Sequence, residues 1–110
     1  MKAVIYCRAD GDALDRELAA LEAVHKSLGW EEPDVYLDTA GSNFKSRNEM
    51  LGDIRAGGID AIVVWGLDRL ARTPTDLGAV LLLCRAGGVE NIITGSTGEV
   101  HRISEDGALS

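Results

Sequence analysis

The apolar positions of this chain alternate between two rhythms. Ala3 to Cys7, Asp34 to Leu37, Ile59 to Trp65 and Val89 to Thr94 are short runs that read as strands, and the third is apolar nearly throughout, as expected of a strand covered on both faces. Between them the period lengthens. Leu14, Leu18, Leu21, Val24, His25 and Leu28 recur at helical spacing as far as Gly29, with His25 at the edge of the stripe expected as a packed or half-exposed side chain and not a ligand. Asn48 to Ala56 predicts a second helix with Met50, Leu51 and Ile54 inward and Gly57-Gly58 as a left-handed cap. Thr73 as N-cap, Pro74 in the first turn and Asp76 open a third helix, which buries Leu77, Val80, Leu81 and Cys84 and stops at Gly87-Gly88.

This strand-helix alternation predicts a three-layer α/β/α domain, because parallel strands need crossovers and right-handed crossovers put helices on both faces of the sheet. Four strands are expected to be mainly parallel. Residues 1–95 carry the domain, and residues 96–110 are expected to form an edge strand at Val100 to Ile103 or a flexible tail whose last several residues are disordered. The loop from Asp38 to Ser46, rich in Gly, Ser, Asn and Thr, is expected to be mobile, and loops of that kind often carry function.

Composition narrows the possibilities. With 110 residues, 45% of them hydrophobic, there is room for one core and no second domain. No apolar run approaches the roughly 20 residues that cross a bilayer, and Arg8 interrupts the first apolar run before a signal-peptide core forms, so a cytoplasmic protein without a membrane partner is expected. Cys7 and Cys84 fall in a strand and a helix and read as buried free thiols, with neither metal-ligand spacing nor a disulfide framework. The formal charge of -7 argues against a domain that grips DNA across its whole surface. Any DNA contact must be local or aided by another DNA-binding part.

The charges are distributed to allow a local contact. Asp10, Asp12, Asp15, Glu17 and Glu22 load the first helix region, whereas Arg8, Arg47, Arg69 and Arg72 fall at predicted strand ends or in loops. The stretch Trp65-Gly66-Leu67-Asp68-Arg69-Leu70-Ala71-Arg72 follows the third strand, where open α/β sheets gather their ligands. Guanidinium groups suit phosphate there, because they stay charged and bind it bidentately. Taken alone, Asp68 and one arginine also fit an ordinary surface ion pair.

Three motifs resemble the resolvase/invertase serine recombinases in their amino-terminal catalytic domain. Tyr6-Cys7-Arg8-Ala9-Asp10 is similar to the family's Tyr-x-Arg-x-Ser, Asp38 with Arg47 nine residues on to its Asp-x-x-Ser-Gly loop ending in arginine, and Leu67-Asp68-Arg69-Leu70-Ala71-Arg72 to its Leu-Asp-Arg-Leu-Gly-Arg. They occur in order, at the family's spacing. The resemblance implies a resolvase-like fold and site-specific recombination, in which a serine attacks a DNA phosphodiester with no metal or other cofactor. It also implies that Arg8, Arg47, Arg69 and Arg72 surround the scissile phosphate and stabilise its transition state, with Asp68 orienting them or helping to move a proton.

The departures from the family pattern bear on activity. The nucleophile position holds Asp10 where the family has serine, Gly41-Ser42 inverts the family's Ser-Gly order, and Leu14 stands where glutamine is common. A carboxylate at residue 10 is expected to silence cleavage and to compete with phosphate for the arginines, since an Asp-Arg pair at 4 Å gains about 4 kcal/mol before desolvation at an effective dielectric near 20. The family's long dimerising helix and DNA-binding domain have no counterpart in these 110 residues, so DNA binding is expected to be weak, and homodimerisation stays open. Two other readings also stay open. One is a noncatalytic interaction domain that keeps the recombinase fold, with Trp30 and Trp65 as conceivable anchors; the other is a receiver-like signalling module holding Mg²⁺ at Asp10 and Asp12.

Overall fold

A computed structural model describes residues 1–110. The chain runs β1 (Ala3–Arg8), α1 (Gly11–Leu28), β2 (Asp34–Asp38), α2 (Lys45–Ala56), β3 (Ala61–Val64), a single 3-10 turn (Leu67–Arg69), α3 (Pro74–Ala86), β4 (Asn91–Thr94) and β5 (Val100–Arg102). The strands lie in the order β2-β1-β3-β4-β5, parallel except for β5, which runs antiparallel to β4. After β2 the chain passes over β1 to place β3 on its far side. That reversal between β1 and β3 is the topological switch point, where a crevice opens beyond the carboxyl ends of the strands.

The reversal also sorts the helices. Side chains alternate across β1, so Ile5 and Cys7 face α1 and Leu21, while Val4 and Tyr6 face the larger core with Met50 and Ile54 of α2 and Val80, Leu81 and Cys84 of α3. β3 is buried at every residue, which accounts for its apolar composition. Gly29 ends α1 in the left-handed conformation, and the Thr73 hydroxyl accepts the Asp76 N–H at 3.1 Å to open α3. Gly87 is required for closeness of approach: a Cβ there would lie 2.5 Å from the Ile54 carbonyl oxygen, where α3 ends against α2. No helix is long and apolar enough to cross a membrane.

Four expectations need correction. Residues 96–110 take the edge-strand alternative, as β5 at the edge of the sheet, and it is the flexible tail and the expected disorder of the last residues that need correcting. Beyond β5, Ile103 is buried and bridges Leu109, Ser104 and Asp106 form a side-chain hydrogen bond at the turn, Gly107 supplies a φ of +85°, and Arg102 and Ser110 exchange backbone hydrogen bonds. An exposed Ser-x-Asp-Gly turn beside buried Ile103 folds the segment back on itself. The second helix begins at Lys45, three residues before the expected Asn48, so Arg47 is helical and buried instead of sitting in a loop. Gly57 has positive φ (93°) but an extended ψ (169°), so it leads the chain outward without forming a left-handed cap. Finally, the loop after β2 is tethered at several points, described below.

The early start of α2 has a nonlocal cause. Asp38, at the end of β2, is buried, and its carboxylate accepts the N–H groups of Ser46 (2.9 Å) and Arg47 (3.0 Å) in the first turn of α2. The Tyr6 hydroxyl donates to the same carboxylate at 2.7 Å. An anion at a helix N-terminus satisfies otherwise unpaired donors and complements the helix dipole. Burial pushes the Asp38 carboxyl upward, but the hydrogen bonds from Ser46, Tyr6 and Arg47 outweigh it and hold the group below its ordinary 3.8. Burial, reinforced by the bond to Asp38, drives the Tyr6 hydroxyl far up, so it remains a donor at any working pH.

Two predictions follow from this packing. Asp38→Asn should lower unfolding stability in urea at pH 7 by about 1.5–3 kcal/mol, the usual worth of hydrogen bonds to a charged group. Because the folded carboxyl titrates below its ordinary 3.8, this contribution is full above that value and fades as pH falls through the folded value, so wild type and variant should converge in acid. Gly87→Ala should cost about 1–3 kcal/mol in the same assay, because the new methyl meets backbone at Ile54.

Candidate active site

The carboxyl ends of β1, β2 and β3 bring three arginines onto one aromatic ring. The guanidinium carbons of Arg47, Arg8 and Arg72 lie 4.0, 4.8 and 4.9 Å from the centroid of Phe44, within the range of cation–π attraction. Phe44 precedes α2, is buried, and is the one non-glycine residue with positive φ (59°). For an L-residue that conformation costs roughly 1–2 kcal/mol. The strain is offset by seating the ring among the guanidiniums.

Backbone carbonyls supply most of the arginine partners. Arg8 donates from Nε to the Arg69 carbonyl (3.2 Å), from Nη1 to that of Ala40 (3.3 Å) and from Nη2 to that of Asp68 (3.1 Å), so it joins the loop after β2 to the turn after β3. Arg72 donates from Nη2 to the carbonyls of Ser42 (2.8 Å) and Ala40 (3.3 Å), which leaves its Nε and Nη1 donors free. Arg47 gives Nη1 to the Leu70 carbonyl and to the Asp76 carboxylate, both at 2.8 Å, and places Nε and Nη2 on Asn48. Of these three, Arg47 alone pairs with a carboxylate. A carbonyl holds a guanidinium in place without cancelling its charge.

Arg69 is arranged differently. Its side chain turns toward α1, where Nε and Nη2 meet the two oxygens of buried Glu17 at 3.3 and 3.2 Å, and Nη1 meets exposed Asp68 at 3.0 Å. The hydrogen bond to Glu17 raises an already high pKa, so the group is permanently charged. Three of the four expected arginines therefore converge on Phe44, while the fourth joins the group through its backbone carbonyl. Asp68 orients Arg69 by its side chain and Arg8 by its main chain.

Asp10 does not sit among the guanidiniums as expected. Its Oδ1 accepts the Ala40 N–H at 3.1 Å, and it forms no ion pair within 4.0 Å. The arginine donors that face this loop are already occupied by Ala40 and Ser42 carbonyls, so the carboxylate takes the free amide. Asp10 and these two carbonyls thus tether the loop that its composition marks as mobile. In the same loop the buried Ser42 hydroxyl has no hydrogen-bond partner. A depression of about 240 Å³ lined by Leu67, Asp68, Ala71, Arg72, Thr73, Pro74 and Leu77 adjoins the exposed side of Arg72.

The cysteines lie apart from this chemistry. Burial pushes Cys7 up to about 11 and Cys84 up to about 12, which keeps both as thiols. No group of three or more His, Cys, Asp or Glu side chains is placed to hold a metal ion. Phe44 and Glu17 went unrecognised in the sequence, although one signal for Phe44 was present: it is the sole phenylalanine of the chain and stands in a polar loop between Asp38 and Arg47.

Comparison with known proteins places this geometry. The chain matches the family described as Resolvase, N terminal domain, over residues 3–104. Its structure is similar to that of the N-terminal catalytic domain of TP901-1 integrase, with a TM-score of 0.75 and 23% sequence identity, covering 91% of this chain and 81% of the other. No curated protein matches by sequence. The match spans all three arginine motifs and every strand of the sheet, and the chain belongs to the resolvase N-terminal domain family.

Proposed function

We propose that this domain binds a DNA phosphodiester at Arg8, Arg47, Arg69 and Arg72 as a serine-recombinase-type unit for strand cleavage and exchange, and that Asp10 leaves it unable to cleave. The observation that carries the reading is the convergence of Arg8, Arg47 and Arg72 on Phe44 at the switch point, beside residue 10. Fixed guanidiniums stabilise the added charge of a five-coordinate phosphorus without reorganising during the reaction. The free Nε and Nη1 donors of Arg72 suit two phosphate oxygens.

Asp10 deprives the site of a neutral hydroxyl nucleophile. A carboxylate would have to approach an anionic diester against charge repulsion, and its product would be an acyl phosphate. Serine at this position would bond through Oγ to phosphorus while the 3′ oxygen leaves and gains a proton, giving a 5′-phosphoserine link and a 3′-hydroxyl. The serine hydroxyl can also accept the Ala40 N–H, so the exchange need not release the loop.

A second reading, a noncatalytic interaction domain, is favoured by one feature. Leu82 and Leu83 on α3 are 50% and 54% exposed, an apolar pair at the surface. The receiver-like reading fails with the family assignment and with Asp10 engaged by Ala40.

Sulfate titration and a gel assay with a short DNA duplex test the proposal. The unaltered protein should bind sulfate without forming a covalent DNA adduct. Asp10→Ser should bind it several-fold more tightly, the scale expected for removing one solvent-screened charge, and should yield the adduct. Arg72→Ala should lose about tenfold or more in sulfate affinity, as expected when a charge-assisted bidentate contact is removed. If none of these proteins binds sulfate or DNA, the proposal fails and the interaction-domain reading replaces it.

A further inference from the structure

Phe44 has no assigned part in the chemistry, yet it occupies the centre of the arginine group. Three guanidiniums within 4.9 Å of one ring centroid repel one another, and only Arg47 has a carboxylate to relieve it. Backbone carbonyls fix the direction of each guanidinium, but they come from two separate segments: Ala40 and Ser42 in the loop after β2, and Asp68, Arg69 and Leu70 after β3. The ring is the one group that touches all three. Its face carries partial negative charge that attracts cations without the directional demands of a hydrogen bond and without cancelling their charge.

The backbone gives a second, independent indication. Phe44 adopts φ 59°, ψ 37°, which a side chain with a Cβ rarely adopts and glycine accepts freely. Here the same residue precedes α2, accepts the Asn48 N–H through its carbonyl at 2.9 Å, and buries its ring. A strained residue persists where the surroundings over-determine it, and such positions cluster at functional sites.

We infer that Phe44 is a positioning residue for anion binding: its ring holds Arg8, Arg47 and Arg72 together so that a tetrahedral oxyanion meets a preassembled set of donors. This rests on the anion-binding reading of the arginines. Phe44 touches no reacting atom in this scheme and acts only through the three guanidiniums. Replacing the ring with an aliphatic group lets the arginines separate, so the anion must then reassemble them at its own expense.

The test uses the full chain, inorganic sulfate as the probe, and the arginine Nε–H signals in NMR. Three proteins are compared: the unaltered chain, Phe44→Leu, and the chain with 3,4,5-trifluorophenylalanine at residue 44. The trifluoro ring nearly keeps the size of phenylalanine while abolishing the negative face, so it folds where a truncated side chain could fail. In the unaltered protein, ring currents should displace the Nε–H signals of Arg8, Arg47 and Arg72, whereas Arg69, turned toward Glu17, should not be displaced. Phe44→Leu should abolish the displacement. Sulfate affinity should fall about five- to tenfold in both altered proteins, a loss on the scale of partly desolvated cation–π contacts.

Equal sulfate affinity across the three proteins, or arginine signals indifferent to Phe44, would overturn the inference. If the unaltered protein binds no sulfate, the anion-site reading is what fails. The arginine signals then decide separately whether Phe44 gathers the guanidiniums.

Discussion

The buried carboxylate of Asp38 ties together the parts on which the site depends. It ends β2, accepts the Tyr6 hydroxyl from β1, and caps the first turn of α2 from outside that helix. Each bond fixes one coordinate of the site. The contact with Tyr6 sets how far β2 extends beside β1, and the two amides set where α2 begins and which way its first turn faces. Arg47 is the third residue of that helix and Phe44 immediately precedes it, so their positions follow from the cap. A buried carboxylate is costly unless its lone pairs are used, and here three donors use them.

From that anchor, the site is assembled with little neutralisation. The chain carries a formal charge of -7, yet around Phe44 the acceptors are mainly main-chain carbonyls. Carboxylates meet Arg47 on its α3 side and Arg69 on its α1 side, at the margins of the group. A patch of positive potential can therefore survive on an acidic surface, confined to the switch point. For the proposed anion site this makes recognition local: the surrounding acidic surface would repel a polyanion, and only a phosphate presented to the crevice would be attracted.

Much of this was legible in the sequence, for reasons that differ by feature. The alternation of elements follows from apolar period, and Gly29, Thr73 and Gly87 mark helix ends through local conformation and hydrogen bonding, which neighbouring residues determine. β3 could be located because it is so thoroughly apolar, although the strand proper is Ala61–Val64 within the expected Ile59 to Trp65, and β4 starts at Asn91 and not at Val89, because apolar residues continue past the ladder at these ends. The start of α2 could not, since its cap lies seven residues upstream of the helix, across a loop. The edge strand was legible, but the order of the residues beyond it was not, because a polar, glycine-rich composition signals both disorder and a tight turn, and the packing of Ile103 and Leu109 against the core decides between them. The arginine motifs pointed to three of the residues that gather, but not to Arg69 turning to Glu17, and the placement of Phe44 depends on a left-handed backbone that no local pattern announces in a non-glycine residue.

The placement of Asp10 follows from the same competition for donors. An isolated carboxylate beside three guanidiniums is expected to pair with one, because that attraction exceeds a hydrogen bond to a neutral amide. Here the loop after β2 reaches the guanidiniums first: the carbonyls of Ala40 and Ser42 occupy Arg8 and Arg72 on that side. Ala40 gives its carbonyl to Arg8 and Arg72, and its own N–H, in the preceding peptide group, is what Asp10 receives. The peptide chain thus stands between the acid and the bases as acceptor on one side and donor on the other. Asp10 and the arginines are coupled through it without contact, so the acid strengthens the loop that holds Arg8 and Arg72 while leaving the free donors of Arg72 open to an anion.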